Sequence, residues 1–279
     1  MVGNRLFDGW LVRLLALALL VGLSLAPGLA RSQVLVFADA LAAEDTSFGN
    51  FPDESTARVV ALPDDWARTR PLQSTPLWYR LRFDAVGMTA AAGPLALYIE
   101  RACANVEVLV NGQRLHAVGR MRDPISLDCR QPLLVTLPIA LLQERGNRVD
   151  LRLAGYALQQ VGSGQRAGGL SPPLVGPYGE LQARHARDSL LAVTLPTVAS
   201  GLLVLTAALT FVLALARRRD THLRYFSALA LGWALITARL WLHDLPLPNY
   251  DSELLLALSL IHISEPTRLR RISYAVFCL

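Results

Sequence analysis

Residues 105–115 read NVEVLVNGQRL. Apolar and polar side chains alternate through the first half, the period of a strand with one buried face. Asn111-Gly112 then supplies the dipeptide favoured in two-residue hairpins, because both central positions of that turn need positive φ. Outward from this hairpin the same grammar recurs in LWYRLRFDAV (77–86), PLALYIER (94–101), PLLVTLPI (132–139) and RVDLRLAGY (148–156). These runs are short, rich in Val, Leu and aromatics, and separated by Gly, Pro and Asn. About eight strands in a region of this size predict a sandwich or jelly roll.

Cys103 and Cys129, 26 positions apart, are the cysteines of this region. In an oxidising compartment they form a plausible disulfide, stabilising by roughly 3 kcal/mol on loop-entropy grounds; two free thiols are the alternative. With His116 they lack the ligand spacing of a zinc site, so no metal is expected. Residues 31–189 contain no G-x-S-x-G, no HExxH and no Ser, His and Asp order, so no catalytic residue is assigned. Asp64 and Asp65 are adjacent and either face opposite sides of a strand or cap a turn before Trp66. VGSGQRAGGL (161–170) has no Lys and no following helix at phosphate-loop spacing, and reads as a flexible loop.

The chain of 279 residues is 53% hydrophobic and 18% charged, with a mean hydropathy of +0.36. That balance excludes a disordered tail. All 27 basic residues are Arg; no basic patch is interleaved with aromatics, so nucleic acid is not expected as a partner. The apolar residues concentrate in blocks. Arg5 and Arg13 precede LLALALLVGLSLAPGLA and the small residues Gly28 and Ala30, which predicts a signal peptide over 1–30; an uncleaved anchor is the alternative. Residues 190–216 hold 27 positions without a charge and, at about 1.5 Å per residue, exceed the bilayer's hydrocarbon core as a transmembrane helix. Residues 225–242, with Trp233 inside and Arg239 and Trp241 near the far end, predict a second span. Between them the connector 217–224 carries Arg217, Arg218, Arg219 and Arg224 against Asp220. The next connector, HDLPLPNYDSE, is acidic. The positive-inside rule makes the first loop cytoplasmic and residues 31–189 extracytoplasmic, which the signal peptide implies independently. A third apolar stretch starts at 254–257.

Beyond it, LSLIHISEPTR (258–268) resembles the translation of a transposase-type sequencing adapter. Leu269–Arg271 fit the index that follows it, and ISYAVFCL (272–279) fits the adapter's continuation. Residues 258–279 are therefore expected to be an assembly artefact and are set aside from the fold. On that reading the genuine chain stops within its third span.

LPDDWARTRP (62–71), WYRLRFD (78–84), NVEVLVNGQRL (105–115), LPIALLQERGNRVDLRL (137–153) and GGLSPPLVGP (168–177) resemble the galactose-binding-like jelly roll, found as the non-catalytic sugar-binding domain of family 2 glycosidases. With a signal peptide and a helical membrane bundle, the order is similar to bacterial sensor receptors of the class with seven transmembrane helices and diverse intracellular signalling modules. The resemblance implies an all-β periplasmic jelly-roll domain over 31–180, followed by an α-helical transmembrane bundle in the inner membrane. It implies a histidine kinase output with ATP and Mg, a response regulator as partner and a homodimer, all outside this fragment, which needs no cofactor itself. A diguanylate cyclase output, or a membrane-anchored carbohydrate-binding protein without enzymatic output, are the alternatives. The ligand would be a carbohydrate or another small molecule in the periplasm.

Candidate ligand contacts follow from chemistry. Trp66, Trp78 and Tyr79 offer flat rings for a sugar face, although a WYR strand more often puts one aromatic in the core and another under a loop. Arg80, Arg101, Asn105 and His116 offer polar contacts, or are solvated strand residues. GPYGELQARHARDSL (176–190) carries charges at helical spacing and either continues the first span outward or is a linker.

Overall fold

The computed structural model describes residues 34–45, 49–86, 88, 93–103, 105–117, 121, 125, 129–161, 167–217 and 220–238. The expected signal peptide, the Gly-rich positions 162–166, Arg218 and Arg219, the start of a third span and the adapter-like tail lie outside the described residues.

In chain order the strands are β1 (Leu35–Val36), β2 (Asp39–Glu44), β3 (Arg58–Ala61), β4 (Asp64–Asp65), β5 (Leu77–Phe83), β6 (Leu95–Ile99), β7 (Ala102–Cys103), β8 (Asn105–Val110), β9 (Gln113–Ala117), β10 (Leu133–Leu137), β11 (Asn147–Ala154), β12 (Gly169–Leu170) and β13 (Leu174–Pro177). The helices are α1 (Trp66–Thr69), α2 (Tyr178–Ser189), α3 (Leu195–Ala216) and α4 (Thr221–Ala238), with one π-helical turn, Leu190–Thr194, between α2 and α3. A sheet of order β3-β2-β5-β11-β8-β9 faces one of order β1-β13-β6-β10, and β4-β12-β7 forms a small third sheet. Neighbouring strands are antiparallel.

Alternation decides which side chains enter the core. On β5 Leu77, Tyr79, Leu81 and Phe83 point inward, as do Val149, Leu151 and Leu153 on β11 and Val106, Val108 and Val110 on β8; they meet Leu95, Leu97 and Ile99 of β6. The hairpin β8–β9 turns at Asn111 and Gly112, with φ of 49° and 85°, the double positive φ of its turn type. Every residue of β6 is buried because its second face is also covered: Ala96 and Tyr98 pack with Leu174 and with Leu181 of α2. A strand buried on both faces reads as an unbroken apolar run, as LALYI (95–99) does.

Pro177 ends β13 and Tyr178 begins α2 directly. From there one helix of 39 residues, Tyr178–Ala216, is long and apolar enough to cross a membrane. The span expected over 190–216 is therefore the distal part of a longer helix. The second apolar helix begins at Thr221, ahead of the expected 225, because the polar residues His222 and Arg224 do not break a helix. The connector shortens accordingly, and 239–242 lie outside the described residues. α3 and α4 meet along small side chains: Ser200, Ala207 and Ala214 recur every seven residues on α3, facing Ser227, Ala230, Gly232 and Ala234. Ser200 Oγ lies 2.7 Å from Thr237 Oγ1, and Ser227 Oγ donates to the Ala207 carbonyl at 3.0 Å. Small and hydroxylated contacts of this kind hold helices together where both outer faces are apolar.

Candidate functional site

Trp66 and Tyr79 are fully buried. Trp66 Nε1–H donates to Tyr79 Oη at 2.8 Å, and that phenol donates to Asp64 Oδ2 at 2.6 Å. Asp64, itself buried, also accepts from Thr69 Oγ1 at 2.7 Å and pairs with Arg70. Burial first, then the Asp64 charge, pushes the Tyr79 phenol pKa well above its ordinary range. The Trp66 ring lies so close to Gly168 that a Cβ there would come within 2.2 Å of it. These two rings carry the core and expose no face to a ligand. Asp65 caps α1, its Oδ1 accepting from Ala67 N–H at 3.2 Å. The two adjacent carboxylates thus divide between a buried acceptor and a helix cap.

Trp78 lies on the opposite face of β5, the outer face of the six-stranded sheet, and is buried there beneath Phe51 with Ala43 and Leu109. Its Nε1–H donates to Asp45 Oδ1 at 2.8 Å. Residues 49–57 fold over this face, and a charge ladder flanks the aromatic pair. Arg80 makes a two-pronged pair with Asp150 (2.7 and 2.8 Å), reaches Glu54 Oε1 at 2.7 Å, and stacks 4.0 Å from the Phe51 ring centre. Arg152 joins Asp45 at 2.5 Å and Glu107 at 3.3 Å. Burial opposes the charge on Arg80 and Arg152, but the carboxylates more than offset it and hold both pKa values above the ordinary one. Glu54 also pairs with Arg82; hydrogen bonds from Arg82 and then Arg80 lower its pKa to about 2.

Arg101 sits between β6 and β7; its carbonyl accepts from Ser171 N–H and its own N–H donates to Ser171 Oγ, both at 2.9 Å. Asn105 is buried at the head of β8, opposite Ala154. His116 is half-buried on the edge strand β9, and burial lowers its pKa. Cys103 and Cys129 are joined as a disulfide. Among the described residues no cluster of His, Cys, Asp and Glu could hold a metal ion. The expected ligand contacts are thus distributed over the core, the outer sheet face and β6–β9, with no common cavity described for them.

A second constellation joins the sandwich to the long helix. Leu181, His185 and Asp188 of α2 lie on one helical face. Leu181 is buried against Ala96, Tyr98 and Leu174. Tyr98 Oη donates to Asp188 Oδ2 at 2.5 Å, and His185 Nε2 lies 3.1 Å from the Pro132 carbonyl, which can only accept. The Tyr98 and His185 rings meet edge to face at 6.4 Å. Burial, then the bond to Asp188, raises the Tyr98 phenol pKa. Sequence reasoning missed this group, since Tyr98 reads as one more apolar residue of β6 and His185 and Asp188 as a solvated helix face; the i, i+4, i+7 spacing of Leu181, His185 and Asp188 was the available signal.

No protein family and no curated protein sequence matches the chain. Among solved structures it is similar to a glycosyl hydrolase family 2 member from Bacteroides cellulosilyticus DSM 14838, with 15% identity and a TM-score of 0.39 over 52% of this chain and 20% of that one. A family 2 beta-galacturonidase from Eisenbergiella tayi bound to galacturonate is similar at 12% identity and a TM-score of 0.37, over 52% of this chain and 24% of that one. For Faecalibacterium prausnitzii beta-glucuronidase the values are 13% and 0.36, over 54% of this chain and 32% of that one. These similarities are distant, and the chain spans between a fifth and a third of those proteins.

Proposed function

We propose that the chain is the sensory part of an inner-membrane receptor, whose extracytoplasmic β-sandwich reports occupancy by a small ligand to its transmembrane helices. The observation that supports this reading is mechanical. The last strand runs without a linker into the 39-residue helix, and the first three turns of that helix are fixed to the sandwich through Leu181, His185 and Asp188. A flexible tether would dissipate a domain motion; a docked, continuous helix passes it on. The π-turn Leu190–Thr194 stands between the docked part and the apolar part, a feature often found where helices adjust. The Cys103–Cys129 disulfide suits an oxidising periplasm. The output is assigned, from the resemblance of the domain order, to a cytoplasmic histidine kinase acting on a response regulator as a homodimer.

Insertion of Gly-Gly between Ala186 and Arg187 tests the coupling. In membranes holding the intact receptor, incorporation of phosphate from ATP should stop responding to ligand, with the sandwich still folded. A response equal to that of the unmodified receptor would reduce α2 to a linker and overturn the reading.

A further inference from the structure

A strand that changes sheets leaves a gap behind it. β1 pairs with β13 through Leu35↔Val175 and Val36↔Leu174, whereas β2 begins at Asp39 in the other sheet. Between them Phe37 N–H donates to the Pro173 carbonyl at 3.0 Å, and the Ala38 carbonyl accepts from Leu62 N–H at 2.8 Å. This corner pulls the start of β2 away from β5. Their ladder runs from Glu44↔Leu77 to Leu41↔Arg80 and stops. β2 nevertheless stays paired with β3 as far as Asp39↔Ala61, and β5 with β11 as far as Phe83↔Asn147. Each strand keeps its outer partner while the two part from one another, and a cleft of about 190 Å³ opens between them.

The cleft is lined by Phe37, Ala40 and Leu81 from the core side, by Leu41 and Val59 on its apolar wall, and by Asp39, Arg82 and Arg80, whose guanidinium is already engaged by Asp150 and Glu54. Val59 is 70% exposed on the edge strand, an apolar surface with no cover among the described residues. Asp39 has no ion-pair partner among the described residues. Arg82 is half-exposed and spends part of its guanidinium on Glu54, and a guanidinium has donors to spare, since it carries five N–H groups. The site therefore presents a carboxylate and a guanidinium on opposite strands beside an apolar wall. Opposite charges so placed suit a molecule bearing both charges itself, and the volume lies below the roughly 300–1,000 Å³ of drug-sized pockets.

We propose that this cleft binds a small zwitterion of the α-amino-acid class, with its ammonium on Asp39, its carboxylate on Arg82 and an apolar side chain against Leu41 and Val59. The proposal rests on the sensory reading only for its physiological meaning; the cleft would be the site that α2 reports on.

Saturation-transfer NMR on the intact chain in lipid nanodiscs tests it, with L-leucine, N-acetyl-L-leucine, L-leucinamide and D-galactose as probes. L-Leucine should be saturated by the protein, and the two probes lacking one charge should bind at least tenfold more weakly. Asp39→Asn and Arg82→Gln should each weaken L-leucine at least tenfold; the thermal midpoint of Asp39→Asn should hold, since Asp39 is exposed and makes no ion pair among the described residues, whereas Arg82→Gln also releases Glu54 and should lower its midpoint slightly. Leu72→Asp, at an exposed position outside the cleft, should leave binding unchanged. Saturation of D-galactose without L-leucine, no saturation of any probe, or L-leucine binding insensitive to both cleft substitutions would overturn the proposal. Each of those results leaves the Gly-Gly experiment free to succeed, so failure of the cleft and failure of the coupling are told apart.

Discussion

Glu54 bridges Arg80 and Arg82 from an exposed position, which ties the segment over the outer sheet face to β5. Its carboxyl is lowered from 4.5 to about 2 in the folded chain. A depressed carboxylate contributes stability above its unfolded pKa, and that contribution is lost as pH falls through the folded one. The stability difference between the unmodified chain and Glu54→Gln should therefore be constant above about pH 5 and shrink between 4.5 and 2, read as urea midpoints across that range. A difference independent of pH would mean that Glu54 does not hold the segment electrostatically. At this scale the sequence shows less than it suggests. Trp78 and Tyr79 are adjacent and chemically alike, yet period-2 alternation sends Tyr79 to the core and Trp78 to the outer face under Phe51. Alternation was legible; Phe51 as the cover was not, because a residue in an irregular stretch has no period to read. The buried role of Asp64 was hidden for a like reason, since its partners Tyr79 and Arg70 are recruited by the fold.

At the scale of elements the legible features were those with a repeat. The hairpin at Asn111-Gly112, the long strands and the apolar helices all follow from period and turn chemistry. The two-residue strands β1, β4, β7 and β12 are too short for any period, and they arise where the chain passes between sheets. The stretch 176–190 left helix and linker equally open, since its charges fit a solvated helix or a tether; docking of Leu181 on β6 and β13 makes it a helix fixed to the sandwich. Tyr98→Phe should loosen this docking without unfolding the domain. It removes one hydrogen bond to a half-exposed carboxylate, worth about 1 kcal/mol after solvent screening. Amide exchange in α2 should then quicken roughly fivefold, as that energy implies, with β5 and β11 unchanged. Leu181→Asp, which places a charge in an apolar seat, should quicken it further. Exchange that rises equally in α2 and β11 would show that the docking is part of global stability and not a separable coupling.

For the whole molecule, the proposed orientation rests on two independent kinds of physics, and the proposed crossing on a third. The disulfide between Cys103 and Cys129 favours folding of the sandwich in an oxidising compartment. The apolar stretch of the long helix, with a mean hydropathy of 2.4, favours hydrocarbon around α3. Arg217, Arg218, Arg219 and Arg224 follow it against Asp220, and cationic loops are retained on the cytoplasmic side. Disulfide chemistry, solvation and membrane charge do not depend on one another, so their agreement is worth more than any one of them. Alkaline phosphatase, active only after export, reports the result directly when fused at successive positions. A fusion after Ser189 should be active and one after Asp220 inactive. Replacing the four arginines by Gln should raise activity at the second position, because the orientation would then rest on the N-terminal segment alone. Activity at Asp220 in the unmodified chain, with none at Ser189, would invert the topology and place the disulfide in a reducing compartment, where it would not persist.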